Sequence, residues 1–277
     1  MEPAERKILL ARLAEAARQI RVDIVTMIHA AKSGHPGGSL SATDLVAVLY
    51  FHQLRHRVEQ PDWPDRDRFI LSKGHVCPLL YAALAESKYF PREELLTLRK
   101  TGSRLQGHPH RLKTPGVEMT SGSLGQGLSI SNGLALALRL DHSPARVYCL
   151  IGDGESQEGQ IWEAAMSAAH YKLDNVCALY DYNHLQIDGF VEDVMDVAPV
   201  ADKWRAFGWH VIEVDGHDLA SIVEAYDQAE TIKGKPTLIL AHTVKGKGVS
   251  FMENIASWHG TAPNDEQLKQ ALKELEE

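Results

Sequence analysis

Two short apolar segments in the middle of this chain each end close to a small side chain that carries oxygen. Val147 to Ile151 leads directly into Gly152-Asp153-Gly154. Val176 to Tyr180 is followed shortly afterwards by Asn183. Between them, Ile161 to Ala169 places isoleucine and alanine residues at helical spacing. Strands that are apolar throughout and joined by a helix are typical of a parallel sheet covered on both faces.

The same alternation of strand and helix continues toward the C-terminus. Trp209 to Val214 and Thr237 to Ala241 have the composition of strands, and Ala220 to Ala229 has that of a helix. Upstream, Leu124 to Leu140 is an alanine- and leucine-rich helix that follows a glycine turn. The pattern predicts the α/β class, with a mostly parallel sheet and helices on both of its faces.

The N-terminal third of the chain is predominantly helical. A periodic apolar pattern predicts one helix from Lys7 to Lys32, which Gly34 and Pro36 would end. The remaining predictions are, in chain order, a loop over Ser33 to Gly38, a helix over Ala42 to His52, a short apolar run over Arg68 to Leu71, a helix over Leu79 to Ser87, a long loop over Leu98 to Glu118, and a capping box at Asn264 to Gln267 that opens a final amphipathic helix. No linker is visible, so we expect one domain over residues 1–277, with a helical N-terminal extension over about residues 1–65.

Composition argues against several classes of function. The net charge is −8 and no stripe of lysine and arginine residues occurs, so nucleic acid is not expected as a partner. The apolar runs are too short to cross a bilayer, and the charged N-terminus lacks the apolar core of a secretion signal. Cys77, Cys149 and Cys177 are odd in number and lie in apolar surroundings, which favours a reducing cytoplasmic location over disulfides or a zinc site.

Asp153 and Asn183 are expected to meet at one edge of the sheet, because open parallel sheets bind ligands beyond the carboxyl ends of their strands. A carboxylate and an amide oxygen suit Mg²⁺ or Ca²⁺. Gly152 and Gly154 would let the backbone approach a bulky anion, and a helix starting near Glu158 would direct its positive end toward a phosphate. These residues predict a magnesium–diphosphate site. The alternative is that Gly-Asp-Gly forms a surface turn and Asn183 caps a strand.

A wider set of motifs resembles one enzyme family. Gly-Asp-Gly, followed after a helix and an apolar strand by Asn183, is similar to the diphosphate-binding motif of thiamine diphosphate enzymes. Further segments resemble transketolases and occur in the same order, namely Ser33-Gly34-His35-Pro36-Gly37, Ser72-Lys73-Gly74-His75, Gly107-His108-Pro109, Gly122-Ser123-Leu124-Gly125-Gln126-Gly127, Val214-Asp215-Gly216-His217-Asp218 and Trp258-His259-Gly260. The resemblance implies the thiamine diphosphate-binding fold, thiamine diphosphate and Mg²⁺ as cofactors, and transfer of a two-carbon ketol unit between sugar phosphates.

The resemblance also assigns roles to individual residues. Asp153, Asn183 and the main-chain carbonyl of Leu185 would hold the metal. Contacts to the cofactor would come from His75, Gly122, Ser123, Leu124, Asp153, Gly154, Asn183, Lys245 and His259. This chain departs from the family at two positions. Many family members carry proline where this chain has Ser123. Some carry a hydroxyl residue where this chain has Gly38, so no cofactor contact is assigned to Gly38. For Lys245, a solvated lysine in a flexible loop is the alternative interpretation.

Four of the fourteen histidines stand out by their surroundings. His35, His75, His108 and His259 each lie in a loop flanked by glycine or proline, where functional groups are common. Imidazoles can move protons near neutral pH, although any single histidine is more often structural. By resemblance, these four are catalytic and surround the reactive carbon of the cofactor and the donor sugar. The resemblance also places Glu158 among the catalytic residues, since it would lie at a dimer interface and link paired active sites.

The resemblance further implies a second polypeptide. Transketolases have a second domain, whose Glu hydrogen-bonds the aminopyrimidine ring of the cofactor, and no second α/β segment follows the first in this sequence. We therefore expect the N-terminal subunit of a split transketolase, assembled with a C-terminal subunit that carries the pyrimidine-binding domain, with two copies of each chain. Two alternatives stay open: the diphosphate-binding subunit of another thiamine diphosphate enzyme, acting on an unusual sugar or a 2-oxo acid, and a non-catalytic Mg²⁺-diphosphate binding protein.

Overall fold

Five parallel strands form one sheet in the computed structural model of this chain, which describes residues 2–276. The strands are β1 (Arg68–Leu71), β2 (Val147–Gly152), β3 (Val176–Tyr182), β4 (His210–Asp215) and β5 (Thr237–His242). Their order across the sheet is β1-β2-β3-β5-β4, and every neighbouring pair is parallel. The predicted α/β class with a parallel sheet is confirmed.

Helices connect the strands and pack on the sheet. They are α1 (Pro3–Ala31), α2 (Pro36–Ser41), α3 (Thr43–Val48), α4 (Cys77–Glu86), α5 (Gln126–Leu140), α6 (Gly159–His170), α7 (Val191–Met195), α8 (Val200–Ala206), α9 (Leu219–Thr231) and α10 (Asp265–Glu276). A π-helical turn occupies Leu49–Gln53, and short 3₁₀ turns occupy Gly74–Val76, Arg92–Thr97, Gly154–Gln157 and Ala256–His259. Within residues 2–276, no helix is long and apolar enough to cross a membrane.

Alternate residues of the strands enter two separate hydrophobic clusters, one on each face of the sheet. Tyr148 and Leu150 of β2 pack with α1, α3, α4, α9 and α10. Cys149 and Ile151 of the same strand pack with α5, α6 and α8. Because successive side chains of a strand point to opposite faces, this division shows that both faces are buried. The N-terminal helix α1 belongs to the first of these cores, through residues such as Ile20.

The predicted loop over residues 33–38 is wrong from Pro36 onward, whereas the helix predicted over residues 42–52 is present as α3 and the π-helical turn that follows it. Helix α2 begins at Pro36, because proline fixes a helical φ at the first position and has no N–H to leave unpaired. Gly37 and Gly38 lie inside this helix. Both positions require glycine because neighbouring atoms leave no room for a side chain. A Cβ atom on Gly37 would lie 3.0 Å from the Trp258 carbonyl oxygen, and one on Gly38 would lie 2.8 Å from Val76. Glycines that permit close packing have the same sequence signature as loop glycines, which explains the difference.

Several other elements differ from the sequence prediction in detail. The apolar run at residues 68–71 is an edge strand, and the short helices α7 and α8 were not predicted. Strand β4, predicted to be buried on both faces, is partly exposed because it forms the other edge of the sheet. The long loop over residues 98–118 contains neither helix nor strand, as predicted. The predicted capping box is present: the Gln267 amide donates to Asn264 Oδ1, and the Asn264 amide donates to Gln267 Oε1, each at 2.9 Å.

Candidate active site

A cavity of about 370 Å³ opens at the carboxyl ends of β1, β2 and β3. Every residue predicted to bind the cofactor or the metal lines this cavity, with the exception of Ser123. Of the predicted catalytic residues, His75, His259 and Glu158 line it, whereas His35 and His108 lie beside it. A cavity outside the carboxyl ends of parallel strands is the usual ligand site of this architecture.

The carboxylate of Asp153 is buried directly after β2, at 3% exposure. Its Oδ1 accepts a hydrogen bond of 2.8 Å from the Gly154 amide, and its Oδ2 accepts one of 2.6 Å from the His184 amide. Burial and the nearby Asp181 carboxylate raise the pKa of Asp153 to about 6. A bound cation would favour the ionised form, so this site is suited to a positively charged ligand.

Asn183 and Leu185 follow β3 and flank His184, whose backbone amide donates to Asp153. The Asn183 side-chain amide donates to Asp181 Oδ2 at 3.1 Å, and its Oδ1 accepts from the Leu185 amide at 3.1 Å. The orientation of the Asn183 amide is therefore set by its partners. The Leu185 carbonyl accepts a hydrogen bond of 2.9 Å from Lys245 Nζ. The three predicted metal ligands thus converge on one side of the cavity.

These oxygens fit a small divalent cation. A carboxylate, a side-chain amide oxygen and a main-chain carbonyl are hard ligands, and each has a lone pair beyond the one that accepts its protein hydrogen bond. Within residues 2–276, no group of three His, Cys, Asp or Glu side chains could hold a metal. A metal in this cavity would therefore depend on a single carboxylate, which suits Mg²⁺ completed by phosphate oxygens and water.

A buried ion pair between Lys73 and Asp181 underlies the cavity, and the sequence motifs did not reveal it. Asp181 lies within β3 and is fully buried, and Lys73 follows β1 at 3% exposure. Burial alone would raise the pKa of Asp181, but the Lys73 ammonium holds it below its usual range. A charged residue inside an otherwise apolar strand was the available signal for Asp181. Lys73 belongs to the Ser72-Lys73-Gly74-His75 motif, in which nothing local to the sequence indicates a buried partner.

Glu155 is a second buried carboxylate to which the sequence motifs assigned no role. It accepts hydrogen bonds from the Ser72 hydroxyl, from the Gly125 amide at 3.0 Å and from the Gly152 amide at 3.1 Å. These donors lie after β1, before α5 and at the end of β2, so Glu155 ties together three loops of the cavity. Glu158, by contrast, is exposed at the cavity wall. The 3₁₀ turn Gly154–Gln157 separates β2 from α6, which begins at Gly159 with Glu158 as its N-cap residue, in agreement with the predicted start near Glu158.

Three of the four predicted catalytic histidines form one cluster. The ring centroids of His35 and His75 are 5.2 Å apart, those of His35 and His259 are 5.4 Å apart, and those of His75 and His259 are 5.1 Å apart. Lys245 Nζ lies 3.1 Å from His259 Nδ1 and also donates to the Leu185 carbonyl, so it connects the cluster to that oxygen. The buried position of Lys245, at 2% exposure, excludes the alternative of a solvated loop lysine.

The imidazoles of this cluster are held neutral. Burial, followed by the positive charge of Arg99, lowers the pKa of His35 to about 4. Burial and Lys245 lower the pKa of His259 to about 3, and burial and Lys73 place the pKa of His75 well below its ordinary value. Burial also lowers the pKa of Lys245 to about 8. Neutral imidazoles can both accept and donate hydrogen bonds to substrate oxygens near pH 7.

His108 lies at the exposed rim of the cavity. A Cβ atom built on Gly122 would be 3.5 Å from the His108 ring, so the ring packs against the glycine turn before α5. Partial burial and the positive charge of Arg99 lower the pKa of His108. Arg99 donates to Ser33 Oγ at 2.8 Å, and this contact holds its charge next to His35 and His108.

Comparison with known proteins identifies the family. The family described as "Transketolase, thiamine diphosphate binding domain" matches residues 11–276. The "6-deoxy-6-sulfo-D-fructose transketolase subunit SqwG" of Clostridium sp. (strain MSTE9) is 51% identical, with 88% of each chain covered. An apulose-4-phosphate transketolase subunit of Phocaeicola vulgatus is 43% identical, with 93% of this chain and 91% of the relative covered.

Solved structures give the same result. The transketolase from Leishmania mexicana superimposes with a TM-score of 0.89 at 34% identity, over 94% of this chain and 40% of that chain. The transketolase from Campylobacter jejuni superimposes with a TM-score of 0.88 at 35% identity, over 97% of this chain and 43% of that chain. This chain therefore spans less than half the length of these transketolases.

The fold and the cavity define an α/β protein that places carboxylate, amide and carbonyl oxygens beside clustered imidazoles at the carboxyl edge of a parallel sheet. Together with the comparisons, they lead to a specific family. The chain belongs to the transketolases and comprises their thiamine diphosphate binding domain. The resemblance inferred from the sequence motifs is confirmed, and the close relatives are transketolase subunits.

The low pKa of His35 predicts a measurable dependence of stability on pH. Between the ordinary imidazole pKa of 6.5 and a native value of about 4, the unfolded chain binds a proton at this position that the native chain does not. The free energy of unfolding should therefore fall as pH falls through this window. Replacing His35→Gln should make the slope shallower by up to about 1.4 kcal/mol per pH unit. Urea denaturation at several pH values measures the slopes for His35→Gln and the unsubstituted chain, and His170→Gln serves as an exposed control. Equal slopes in His35→Gln and the unsubstituted chain would contradict the lowered pKa of His35.

Proposed function

We propose that this chain is the N-terminal subunit of a transketolase that uses thiamine diphosphate and Mg²⁺ to transfer a two-carbon ketol unit between sugar phosphates. The observation that carries the proposal is the meeting, in one cavity, of the Asp153–Asn183–Leu185 oxygen set with the cluster of His35, His75 and His259. A protein that only binds diphosphate would need the first group and not the second.

The roles of the residues follow from their positions. Asp153, Asn183 and the Leu185 carbonyl would hold Mg²⁺. Backbone groups of Gly122, Ser123, Leu124 and Gly154, with His75, Lys245 and His259, would hold the cofactor. The Lys245 ammonium would balance part of the negative charge of its diphosphate. When bound, thiamine diphosphate supplies the carbanion chemistry, as cofactors of this kind do.

The histidines would act on the sugar. A neutral imidazole offers a sugar oxygen either a donor N–H or an acceptor nitrogen. The Lys245 ammonium beside His259 Nδ1 leaves the N–H of Nε2 as the donor of that ring. Such groups can take up and return the hydroxyl proton that moves when the carbon–carbon bond breaks or forms. His108, at the exposed rim, would contact the part of the sugar farther from the cofactor.

A partner chain would complete the site. Relatives of similar length are named as subunits, and the matched solved transketolases extend well beyond the region aligned with this chain. Four exposed apolar side chains, Ile187, Phe190, Val194 and Met195, lie in one segment that reaches the cavity wall. An exposed apolar patch of this kind marks an interaction surface. We propose that a C-terminal subunit carrying the pyrimidine-binding domain docks there and supplies the Glu that contacts the aminopyrimidine.

The remaining features of the assembly are also proposals. Two copies of each chain would form a closed two-fold assembly, with exposed Glu158 at the interface between active sites. Residues 1–277 would form one domain, since α1 shares its hydrophobic core with strands β2, β3 and β5. A cytoplasmic location suits the three buried free cysteines, Cys77, Cys149 and Cys177.

A second candidate function concerns the sugar. The relative that is 51% identical is named for 6-deoxy-6-sulfo-D-fructose, and two others are named for apulose 4-phosphate. These names favour an unusual ketose donor over the common sugar phosphates. The two-carbon ketol unit would be transferred by the same chemistry from either kind of donor. Ketol-transfer assays with a sulfonated and a phosphorylated ketose, run in parallel on the assembled enzyme, distinguish the two candidates by their kcat/KM.

The proposed metal site predicts a large effect of substitution at Asp153. Asp153→Asn removes the ionised ligand with little change of shape, so Mg²⁺-dependent binding of thiamine diphosphate should weaken by about 100-fold or more, since even outer-shell changes can cost that much. Calorimetric titration of the assembled enzyme measures the affinity. Asp141→Ala, an exposed position at the end of α5, serves as the control. Unchanged affinity in Asp153→Asn would remove this residue from the metal site.

The proposed partner predicts that the isolated chain has no ketol-transfer activity, even with cofactor and Mg²⁺, and that a chain with a pyrimidine-binding domain restores it. Ile187→Glu places a charge in the exposed apolar segment and should weaken association by at least about 10-fold. Leu140→Glu is the matched control, because Leu140 is 81% exposed at the far end of α5. Size-exclusion chromatography and the activity assay report the outcome. Turnover by the homogeneous single chain would rule out the split enzyme.

A further inference from the structure

One motif of the sequence, residues 214–218, has no place in the site described so far. Its histidine, His217, follows β4 and is largely buried, with 13% of its side chain exposed. The ring bridges two distant parts of the chain. His217 Nδ1 lies 2.8 Å from Asp44 Oδ2 on α3, and the Val244 amide donates to His217 Nε2 at 2.8 Å.

These contacts determine which ring nitrogen carries the proton. A backbone amide can only donate, so His217 Nε2 must be the unprotonated nitrogen that accepts. Asp44 is an acceptor when ionised, so Nδ1 must carry the hydrogen and donate to it. The imidazole is therefore neutral and oriented by a carboxylate behind it. Metal-binding histidines are commonly held by the same arrangement, with a carboxylate on one nitrogen and the functional partner on the other.

Asp44 is itself fixed by Arg21 of α1. The guanidinium makes two hydrogen bonds to the carboxylate, at 3.0 and 2.5 Å, and both residues are buried. Burial would raise the pKa of Asp44, but Arg21 and the His217 hydrogen bond hold it below its usual range. A two-pronged arginine–carboxylate pair is rigid and specific in direction. The chain of contacts from Arg21 through Asp44 to His217 thus gives Val244 a firmly placed acceptor.

Val244 immediately precedes Lys245, whose side chain reaches into the cavity. Lys245 Nζ donates to the Leu185 carbonyl at 2.9 Å and contacts His259 Nδ1 at 3.1 Å. On the other side of Lys245, the Gly246 amide donates to the Gly37 carbonyl at 2.9 Å. The backbone that carries the lysine is therefore held at both neighbouring residues, by His217 before it and by α2 after it.

We propose that His217 is a positioning residue, which uses Nε2 to hold the Val244 amide and thereby places Lys245 between the metal-ligating carbonyl of Leu185 and the histidine cluster. The inference rests on the proposed function in so far as Lys245 is taken to bind the diphosphate of the cofactor. The hydrogen bond itself, and its effect on the Val244–Lys245 backbone, do not depend on that function. Small displacements of a binding group are costly, because binding and catalysis require placement to within about 0.5 Å.

Two substitutions of His217 distinguish the hydrogen bond made by Nε2 from the one made by Nδ1. In His217→Gln, the amide oxygen can occupy the position of Nε2 and accept from Val244, whereas the contact to Asp44 is lost. In His217→Asn, the amide nitrogen can occupy the position of Nδ1 and donate to Asp44, whereas Val244 loses its acceptor. Positioning of Lys245 through Val244 predicts that the glutamine variant retains function and that the asparagine variant does not. A purely structural role of the Asp44 contact predicts the opposite order.

The first measurement is amide hydrogen exchange at Val244 in the full chain, followed by NMR. We expect exchange to be at least about 10-fold faster in His217→Asn and within about 3-fold of the unsubstituted chain in His217→Gln. The second is calorimetric titration with inorganic diphosphate and Mg²⁺. His217→Asn should weaken diphosphate binding by about 10-fold, the lower end of what second-shell changes cost at metal sites, and His217→Gln should weaken it by less than about 3-fold.

A double-mutant cycle tests whether the effect passes through Lys245. In the Lys245→Met background, His217→Asn should weaken diphosphate binding by no further measurable amount, because the group that it positions is absent. Independent, additive losses would overturn the inference, as would unchanged exchange at Val244 in His217→Asn. If Lys245→Met alone leaves diphosphate affinity unchanged, the proposed function of Lys245 fails, and the exchange data still decide whether His217 holds this backbone.

Discussion

The cavity depends above all on the buried carboxylate of Asp181. It forms an ion pair with Lys73 and accepts hydrogen bonds from Ser41 Oγ at 2.6 Å, from the Thr243 hydroxyl and from the Asn183 amide at 3.1 Å. These donors belong to the segment after β1, to α2, and to the segments after β5 and β3, so one side chain joins four pieces of the cavity wall. Removing one member of a buried ion pair costs about 3–5 kcal/mol, because the other charge is left without compensation. The same contact fixes the Asn183 amide and thus directs its oxygen.

The other buried groups extend this arrangement outward. Glu155 joins the loops that follow β1 and β2 to the start of α5, and His217 connects α3 to the segment that carries Lys245. Positive charge is concentrated on Lys73 and Lys245, whereas the neighbouring imidazoles are neutral. This separation of charge supports the proposal that one end of the cavity binds an anionic ligand with its cation and that the other end serves proton transfer. This division matches a cofactor whose diphosphate is held by the protein and whose reactive ring meets the sugar.

The sequence predicted the parts of the structure that depend on local patterns. The apolar strands β2, β3 and β5 and the helices α5, α6 and α9 could be located because period and composition agree there, and Asp153 and Asn183 were found because they end two such strands. Pairs that are distant in the chain could not be derived from one sequence. Lys73 and Asp181 are 108 positions apart, and Asp44 and His217 are 173 apart. The start of α2 was missed because its glycines serve packing against Trp258 and Val76, which becomes visible only in three dimensions.

The central claim is that Asp153, Asn183 and Leu185 bind the metal that anchors the cofactor. The most direct test is an anomalous difference map from crystals of the assembled enzyme grown with thiamine diphosphate and Mn²⁺ in place of Mg²⁺. The account predicts one strong peak within about 2.5 Å of an Asp153 carboxylate oxygen, Asn183 Oδ1 and the Leu185 carbonyl oxygen, with the diphosphate completing the coordination. A peak elsewhere in the chain, or a cofactor bound with its diphosphate away from these three oxygens, would contradict it.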